Sequence, residues 1–328
     1  VKSYLKFFLQ FPPKDFCVEP VFATRDKGYF YARRFSKRFL GHSEKNEQDS
    51  PIRWQRGDIF FGLDMQHHVQ LAHQDFYHRL KKEGVTIKFL VHDLLPIQLS
   101  DCFKENNFKD LHEQWLGMIA VLDGAICVSK ATSDEFERWL SEKRIVRSPN
   151  FSISYVHNGA DIECANLSKG LHEDAKSMLA TFQKCLTILC VSTIEPRKQQ
   201  QQILEAVERL WDEDININLV LVGHQGWNVD SLIEKIRHHP EHGNRLFWLE
   251  GISDGFLEQI YKASTVLIAA SLNEGFGLPL IEGARHKLPL LVRDLPVFRE
   301  VAGQHAFYFD GEKAEDITVA LREWLALF

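Results

Sequence analysis

Short apolar runs rich in Val, Ile, Leu and Phe alternate along this chain with polar stretches in which apolar residues return at helical spacing. The first pattern reads as buried strand and the second as amphipathic helix. In the first half the strand runs are CVEPVFA (17–23), DIFFGLD (58–64), VTIKFLVHD (85–93), GAICVS (124–129) and ISYVH (153–157). Helical spacing lies near 67–83, 107–122 and 130–142. In the second half the strand runs are LTILCVS (186–192), INLVLVG (217–223), RLFWLE (245–250), TVLIAA (265–270) and LPLLVR (288–293). Helices are predicted between them, near 199–212, 228–238, 254–263 and 279–287.

Strand–helix alternation predicts parallel sheets covered by helices on both faces. It occurs twice, on either side of a polar, poorly periodic stretch at 163–183 that reads as a linker. The expected fold is therefore α/β, with one Rossmann-like domain over 1–165 and a second over 166–328. Open parallel sheets take ligands beyond the carboxyl ends of their strands, so the expected site is a cleft between the domains, built from post-strand loops. VKSYLKFFLQF (1–11) reads as a helix with no strand before it, and AEDITVALREWLALF (314–328) ends in mid-helix. Both ends read as cut from a longer chain.

Composition narrows the classes. The 328 residues are 45% hydrophobic and 26% charged, an ordinary globular balance. No apolar run is long enough to cross a bilayer and no secretory signal opens the chain, so a cytoplasmic protein is expected. The six cysteines include no CxxC pair, and Cys127 and Cys190 sit inside strand runs, as buried thiols in a reducing compartment do. Residues 1–170 carry 24 Lys+Arg against 22 Asp+Glu, a net of +2, and the remainder 15 against 23, a net of −8. An acidic second half argues against a nucleic-acid partner and requires local cations for any anionic ligand there.

Two loops carry candidate chemistry. NEGFGLPLIE (273–282) follows the strand TVLIAA and enters a helix at Pro279. Gly275 and Gly277 allow close backbone approach, the helix start offers N–H groups to a phosphate, and Glu274 and Glu282 can each accept sugar hydroxyls. By spacing alone, a glycine turn with two solvated glutamates explains this stretch equally well. The loop in CVSTIEPRKQQQQ (190–202) tips the balance. It also leaves a strand, and it sets Arg197 and Lys198 in an otherwise acidic domain, where they suit a diphosphate.

EGFGLPLIE resembles the E-x7-E motif of the retaining family 4 glycosyltransferases of GT-B fold, and VSTIEPRK resembles that family's EPRK loop. LVHDLLPI (90–97), DGAICVSKATSDEF (123–136), HNGADI (157–162) and FREVAG (298–303) match further family segments, in family order and over nearly the whole chain. Within the family, the likeness points to bacterial mannosyltransferases that build surface polysaccharides. The resemblance implies an acceptor-side first domain and a second domain that binds a nucleotide sugar. Glu274 would meet the transferred sugar, and the backbone of Gly275, Phe276 and Gly277 its hydroxyls, with Leu278 near the phosphate. Glu282 would bind ribose, Arg197 and Lys198 the diphosphate, while Gly223, Gly251 and Ile252 flank the base. His92 matches a first-domain position that meets the donor sugar, with Asp93 a lesser candidate.

The chain also departs from the pattern. Ser192–Thr193 replaces a glycine–arginine pair, Gln199 stands where a glycine is usual, and the family's first strand and glycine loop are expected before Val1. No metal or other cofactor is expected, since Arg197, Lys198 and a helix start can carry the leaving charge. The histidine pairs 67–68 and 238–239 lack ligand spacing and read as helix-surface residues.

The expected activity is retaining transfer of a hexose, mannose favoured, from a nucleotide sugar to a glycan or lipid-linked glycan. GDP-mannose is the favoured donor and a UDP sugar the second. Two alternatives stay open: a non-catalytic nucleotide-sugar-binding or scaffolding domain of a larger protein, or an epimerase or phosphorylase on the same scaffold. RDKGYFYARRFSKRF (25–39) packs six cations and five aromatics into one stretch. It reads either as a contact with the inner face of a membrane or as a solvated helix face with its aromatics in the core. Oligomeric state is not legible.

Overall fold

The computed structural model describes residues 2–41, 48–103, 107–159 and 174–327. The boundary expected at 165/166, the end of HNGADI and Cys164 lie outside the described residues. Two compact units form. One comprises Val1–His92, Lys109–Val128 and Ser133–Val156; the other comprises Asp93–Phe108, Ser129–Thr132 and His157–Phe328.

The first unit opens with helix α1 (Lys2–Gln10) and a hairpin, β1 (Val21–Thr24) antiparallel to β2 (Gly28–Tyr31). The run 17–23 thus contributes to a two-stranded ribbon and not to the main sheet. Helix α2 (Arg33–Phe39) follows. The main sheet has four parallel strands in the order β3 (Ile59–Gly62), β4 (Thr86–Val91), β5 (Gly124–Cys127), β6 (Ser152–Tyr155). The helical pattern at 67–83 splits at His73 into α3 (His67–Ala72) and α4 (Gln74–Lys82). The core of this unit is aromatic: Tyr77, Phe89 and Trp115 are fully buried and meet edge to face.

The stretch 25–39 is a turn, strand β2 and helix α2, not one helix. Tyr29 stacks on Phe76 and meets Phe60, as an inward aromatic should, but α2 buries no residue. Phe35 is 42% exposed and stacks on Phe39, so the expected burial of all its aromatics does not occur.

The short helix α5 (Leu95–Gln98) lies in the second unit, whose body is a six-stranded parallel sheet. Its strands are β7 (Leu186–Val191), β8 (Ile217–Val222), β9 (Leu246–Leu249), β10 (Val266–Ala269), β11 (Leu290–Arg293) and β12 (Phe307–Phe309). Their order is β12-β11-β10-β7-β8-β9. The sheet grows outward from β7 in one direction and from β10 in the other, so the chain reverses its winding between these neighbours. That is the switch point of a doubly wound sheet, where a crevice opens at the strand ends.

Two-residue alternation loads both faces. Ile188, Cys190, Leu219 and Leu221 pack on one side with α9 (Gln200–Asp212), α10 (Asp230–Arg237) and α14 (Ala314–Leu325). Leu189, Val220 and Val222 pack on the other with α8 (Ala175–Lys184), α11 (Asp254–Ala263), α12 (Leu278–Arg285) and α13 (Pro296–Ala302). A strand buried on both faces needs an unbroken apolar run, which is why β7 and β8 are plain in the sequence. Part of the expected linker is helix α8: Phe182 is buried against Phe247, which gives the helix an inward face that its polar composition hides. Among the described residues, no helix is long and apolar enough to cross a membrane.

Candidate functional site

The two singled-out loops leave the adjacent strands at the switch point. After β7 the chain makes a single 3-10 turn, Pro196–Lys198, and enters α9 through Gln199 at φ 59°. A glycine would hold that left-handed conformation without strain; here an L-residue does, and its amide donates to Pro196 O at 3.0 Å. After β10 the chain runs through 270–277 and enters α12 through Gly277 at φ 95°. A Cβ at Gly277 would come within 2.8 Å of the Phe298 ring, so conformation and packing both require glycine there. Gly275 is buried but does not share the left-handed backbone, so the expectation of unusual dihedrals holds for Gly277 alone. The two loops are joined by Leu272 N donating to Arg197 O at 2.9 Å.

Four charged side chains converge where the loops meet. The Lys198 ammonium donates to Glu274 Oε1, which also accepts from Ser271 Oγ at 2.7 Å. Arg197 Nη1 reaches Glu274 Oε2 at 3.3 Å, and its Nε lies 2.8 Å from Glu195 Oε2. The Arg197–Glu195 pair is close as charges without being aligned as a hydrogen bond. Side-chain exposure is 13% for both Glu274 and Lys198 and 15% for Arg197, so these charges are shielded from water and matched two against two. Burial pushes the Glu274 carboxyl upward, but Lys198 and Arg197 outweigh it and hold the group below its usual range. Burial disfavours charge on Arg197, and Glu274, Glu195 and Asp93 more than restore it. The cavity behind the carboxylate, toward Cys190 and Phe298, is about 20 Å³, room for a water and no sugar. A larger ligand must meet Glu274 from its other side.

The remaining expected residues fall nearby or elsewhere as follows. Phe276 is buried, and Leu278 is 46% exposed at the start of α12. Glu282, one turn into α12, accepts from Tyr261 OH at 2.7 Å through one oxygen. Gly223 ends β8 at φ 150°, its Cα pressed on Ser192 O so closely that a Cβ would sit 2.0 Å away. Gly251 takes φ 60° after β9, and Ile252 packs partly against the core beside it. These two strand ends lie on the β7 side of the switch point. His92 ends the first segment of the first unit, just after β4; burial pushes its pKa down, and its Nε2 lies 3.2 Å from Leu63 O. Asp93 accepts from Leu95 N at 3.1 Å.

One expectation about histidine fails. His67 is not on a helix surface: it is 5% exposed, its Nε2 is 2.9 Å from Nδ1 of fully buried His112, and both rings pack on Trp115. His238 does lie at the surface. An Asp-x-Asp pattern occurs at Asp212–Glu213–Asp214, but at the C-terminal end of α9, with Glu213 paired to Arg322.

The sequence reading missed how the Glu274 loop is held. The Ser129 and Thr132 hydroxyls approach Gly275 O at 2.7 and 3.1 Å from the start of α7 (Lys130–Glu142). Glu300 on α13 accepts from the first amides of that helix, Lys130 N at 2.6 Å and Ala131 N at 2.8 Å, and from His157 Nε2 at 2.6 Å. The quoted segments at 123–136, 157–162 and 298–303 meet here. Their likeness to the family was the one signal that could have found them.

Residues 173–327 match the family described as glycosyl transferases group 1. Over its full length the chain is 39% identical to a protein of Escherichia coli described as the serotype-specific mannosyltransferase WbdA, of which it spans 40%. Solved structures share the fold, among them the following two. One is the Escherichia coli trehalose-6-phosphate protein bound with UDP-2-fluoro glucose, with TM-score 0.61 and 16% identity over 84% of this chain and 67% of that one. The other is a UDP-forming trehalose-phosphate synthase from Burkholderia xenovorans, with TM-score 0.63 and 14% identity over 83% and 66%. The two parallel-sheet units are those of a GT-B protein. The chain spans well under half the length of the curated relatives it matches over its full length. None of these proteins is described as an epimerase, and that alternative is not carried further.

Proposed function

We propose that this chain, whose residues 173–327 match the group 1 glycosyltransferases, moves a hexose from a nucleotide sugar to a glycan or lipid-linked glycan with retention of configuration. The observation that carries the reading is the meeting of Glu274 with Lys198 and Arg197 at the switch point, a carboxylate and two cations on post-strand loops. Mannose is the favoured sugar and GDP the favoured nucleotide, with a UDP sugar second, in keeping with the mannosyltransferase WbdA. Surface polysaccharide synthesis is the setting this implies.

In this reading the donor diphosphate draws Lys198 and Arg197 away from Glu274 and lies toward the α12 start, whose free N–H groups favour an anion. The bond from the anomeric carbon to the diphosphate oxygen breaks, and its electron pair leaves with the diphosphate. Lys198 and Arg197, moved beside the diphosphate when the donor binds, stabilise that growing charge. Glu274, released from its cations, faces the electron-poor sugar carbon. The acceptor hydroxyl attacks from the face the diphosphate leaves, and its proton passes to the departing phosphate oxygen. Backbone groups of Gly275, Phe276 and Gly277 hold sugar hydroxyls, with Leu278 beside the phosphate. Glu282 has an oxygen beyond the one that Tyr261 uses, and it takes ribose. Gly223, Gly251 and Ile252 flank the base.

Thermal stabilisation by GDP, UDP, GDP-mannose and UDP-glucose tests the donor. A ligand at 100 times its Kd adds about 2.7 kcal/mol, so GDP and GDP-mannose should raise the melting temperature most. A panel without any shift contradicts the reading, and a product of inverted anomeric configuration contradicts retention.

A peripheral membrane contact is also proposed. Exposed Phe7, Phe11, Phe16, Phe22 and Phe35 share the N-terminal segment with Arg25, Lys27, Arg33 and Arg34, a pairing suited to an anionic interface. Co-sedimentation with vesicles should rise with anionic lipid; binding that ignores lipid charge removes this contact.

A further inference from the structure

Arg293 closes β11 and is 5% exposed, yet among the described residues its hydrogen bonds go only to main-chain carbonyls. Its Nε lies 3.1 Å from both Ala270 O and Ser271 O, and its Nη2 lies 3.0 Å from Ala270 O. The guanidinium also sits 5.4 Å from the centre of the Phe309 ring. Its counter-charges act through space: Glu312 and Asp310 from the turn between β12 and α14, and Asp316 from the first turn of α14. A buried cation is a costly choice for a strand whose other positions are all apolar, and an apolar side chain of like volume would commonly pack there without loss.

The location of the two carbonyls explains the choice. β11 pairs with β10 as far as Ala269↔Val292, and there β10 leaves the sheet to form the 270–277 loop. Ala270 O and Ser271 O are the first carbonyls of that loop, buried and beyond the reach of the ladder, and they need donors. A forked guanidinium serves both from one rigid plane, with a fixed direction that a rotating ammonium does not impose. The next contacts run straight to the carboxylate: Ser271 Oγ donates to Glu274 Oε1, and Leu272 N to Arg197 O.

We propose that Arg293 is a positioning residue: it fixes the carbonyls of Ala270 and Ser271, and through the Ser271 hydroxyl it aims the Glu274 carboxylate. The inference rests on the transfer reading for its catalytic consequence, but its structural content stands apart.

Hydrogen exchange and steady-state kinetics on Arg293→Met, Arg293→Lys and Ser271→Ala test it. In Arg293→Met, exchange of peptides covering 270–277 should rise about tenfold or more while peptides of α9 keep their protection. Arg293→Lys should fall between that variant and the parent. Equal loosening of α9 and the loop, or none in the loop, overturns the proposal. Transfer should lose roughly 10–100-fold in kcat in Arg293→Met with little change in donor KM. Ser271→Ala, which removes one hydroxyl, should lose kcat in the same sense and add little to Arg293→Met. Full kcat in Ser271→Ala, or losses that simply multiply, overturns the relay. If Arg293→Met does not fold, Arg293→Lys and Ser271→Ala decide by the same exchange measurement. A parent chain that transfers no hexose from any donor sinks the proposed function, and the exchange results still decide the role of Arg293.

Discussion

Two buried polar groups in this molecule are built in opposite ways. In the second unit Glu274, Lys198, Arg197 and Glu195 keep four charges together at a sheet end, shielded from water and balanced two against two. In the first unit His67 and His112 sit against Trp115, and burial, followed by the nearby His68, pushes the His67 pKa down to about 4. A neutral His67 is what burial favours, because a charged ring there would lose its hydration. The ionic group pays that cost at a place where strand ends open to a ligand. Charge has been kept where a charged substrate is expected and avoided where only packing is at stake.

The largest effect expected from this contrast is on turnover. Glu274→Gln keeps the shape of the loop and removes the carboxylate, and kcat should fall by roughly 10²–10³, the scale of a lost transition-state interaction. A variant that retains a tenth of parental activity would move the catalytic role elsewhere.

The histidine pair should show itself as pH-dependent stability. The folded His67 pKa of about 4 lies below the unfolded value of 6.5, so the unfolded chain binds the extra proton between them. The contribution is fully present above pH 6.5 and is lost as pH falls toward 4, by up to about 3 kcal/mol. Urea unfolding between pH 4.5 and 7.5 measures this limb. His67→Gln, which can still bond to His112, should flatten it, and an unchanged slope would assign acid sensitivity to other groups.

Backbone strain in the two loops gives smaller changes. Gly277→Ala forces a Cβ against Phe298 at φ 95° and should cost about 1–3 kcal/mol in chemical unfolding. Gln199→Gly relieves a left-handed residue but loses chain stiffness, and should leave stability within about 1 kcal/mol, on the gaining side. A clear loss would mean that the Gln199 amide contact to Pro196 outweighs the strain.

Much of this was visible in the sequence, and the failures share a cause. Strands β4, β5, β7, β8, β10 and β11 announced themselves because parallel strands buried on both faces need continuous apolar runs, while the edge strands β3 and β6 were legible from short apolar runs although neither has a buried residue. β12 has only three residues, too few to show a pattern, and α13, seven residues long and starting at Pro296, was seen only as a quoted segment. The hairpin was misread because the run at 17–23 has a sheet strand's composition; its partner starts only four residues after β1 ends, within the stretch 25–39 read as one piece. At the site, Arg197, Lys198, Glu274 and Gly277 were legible because each sits in a post-strand loop, where residue type speaks for itself. His67 was not, since its burial depends on a partner 45 positions away. Ser129, Thr132 and Arg293 act on backbone carbonyls brought close only by the fold, and nothing in their local sequence shows it.

The central claim is that the ionic cluster at the β7–β10 switch point is a diphosphate site whose cations are lent to Glu274. Calorimetric titration of GDP into the parent chain, Lys198→Ala and Glu274→Gln tests it most directly. The account predicts that Lys198→Ala binds roughly 10–100-fold more weakly, one charged hydrogen bond being lost. Glu274→Gln should bind at least as tightly as the parent, because its cations are released and an opposing charge is gone. Equal affinity in all three proteins, or weaker binding in Glu274→Gln than in Lys198→Ala, would contradict it.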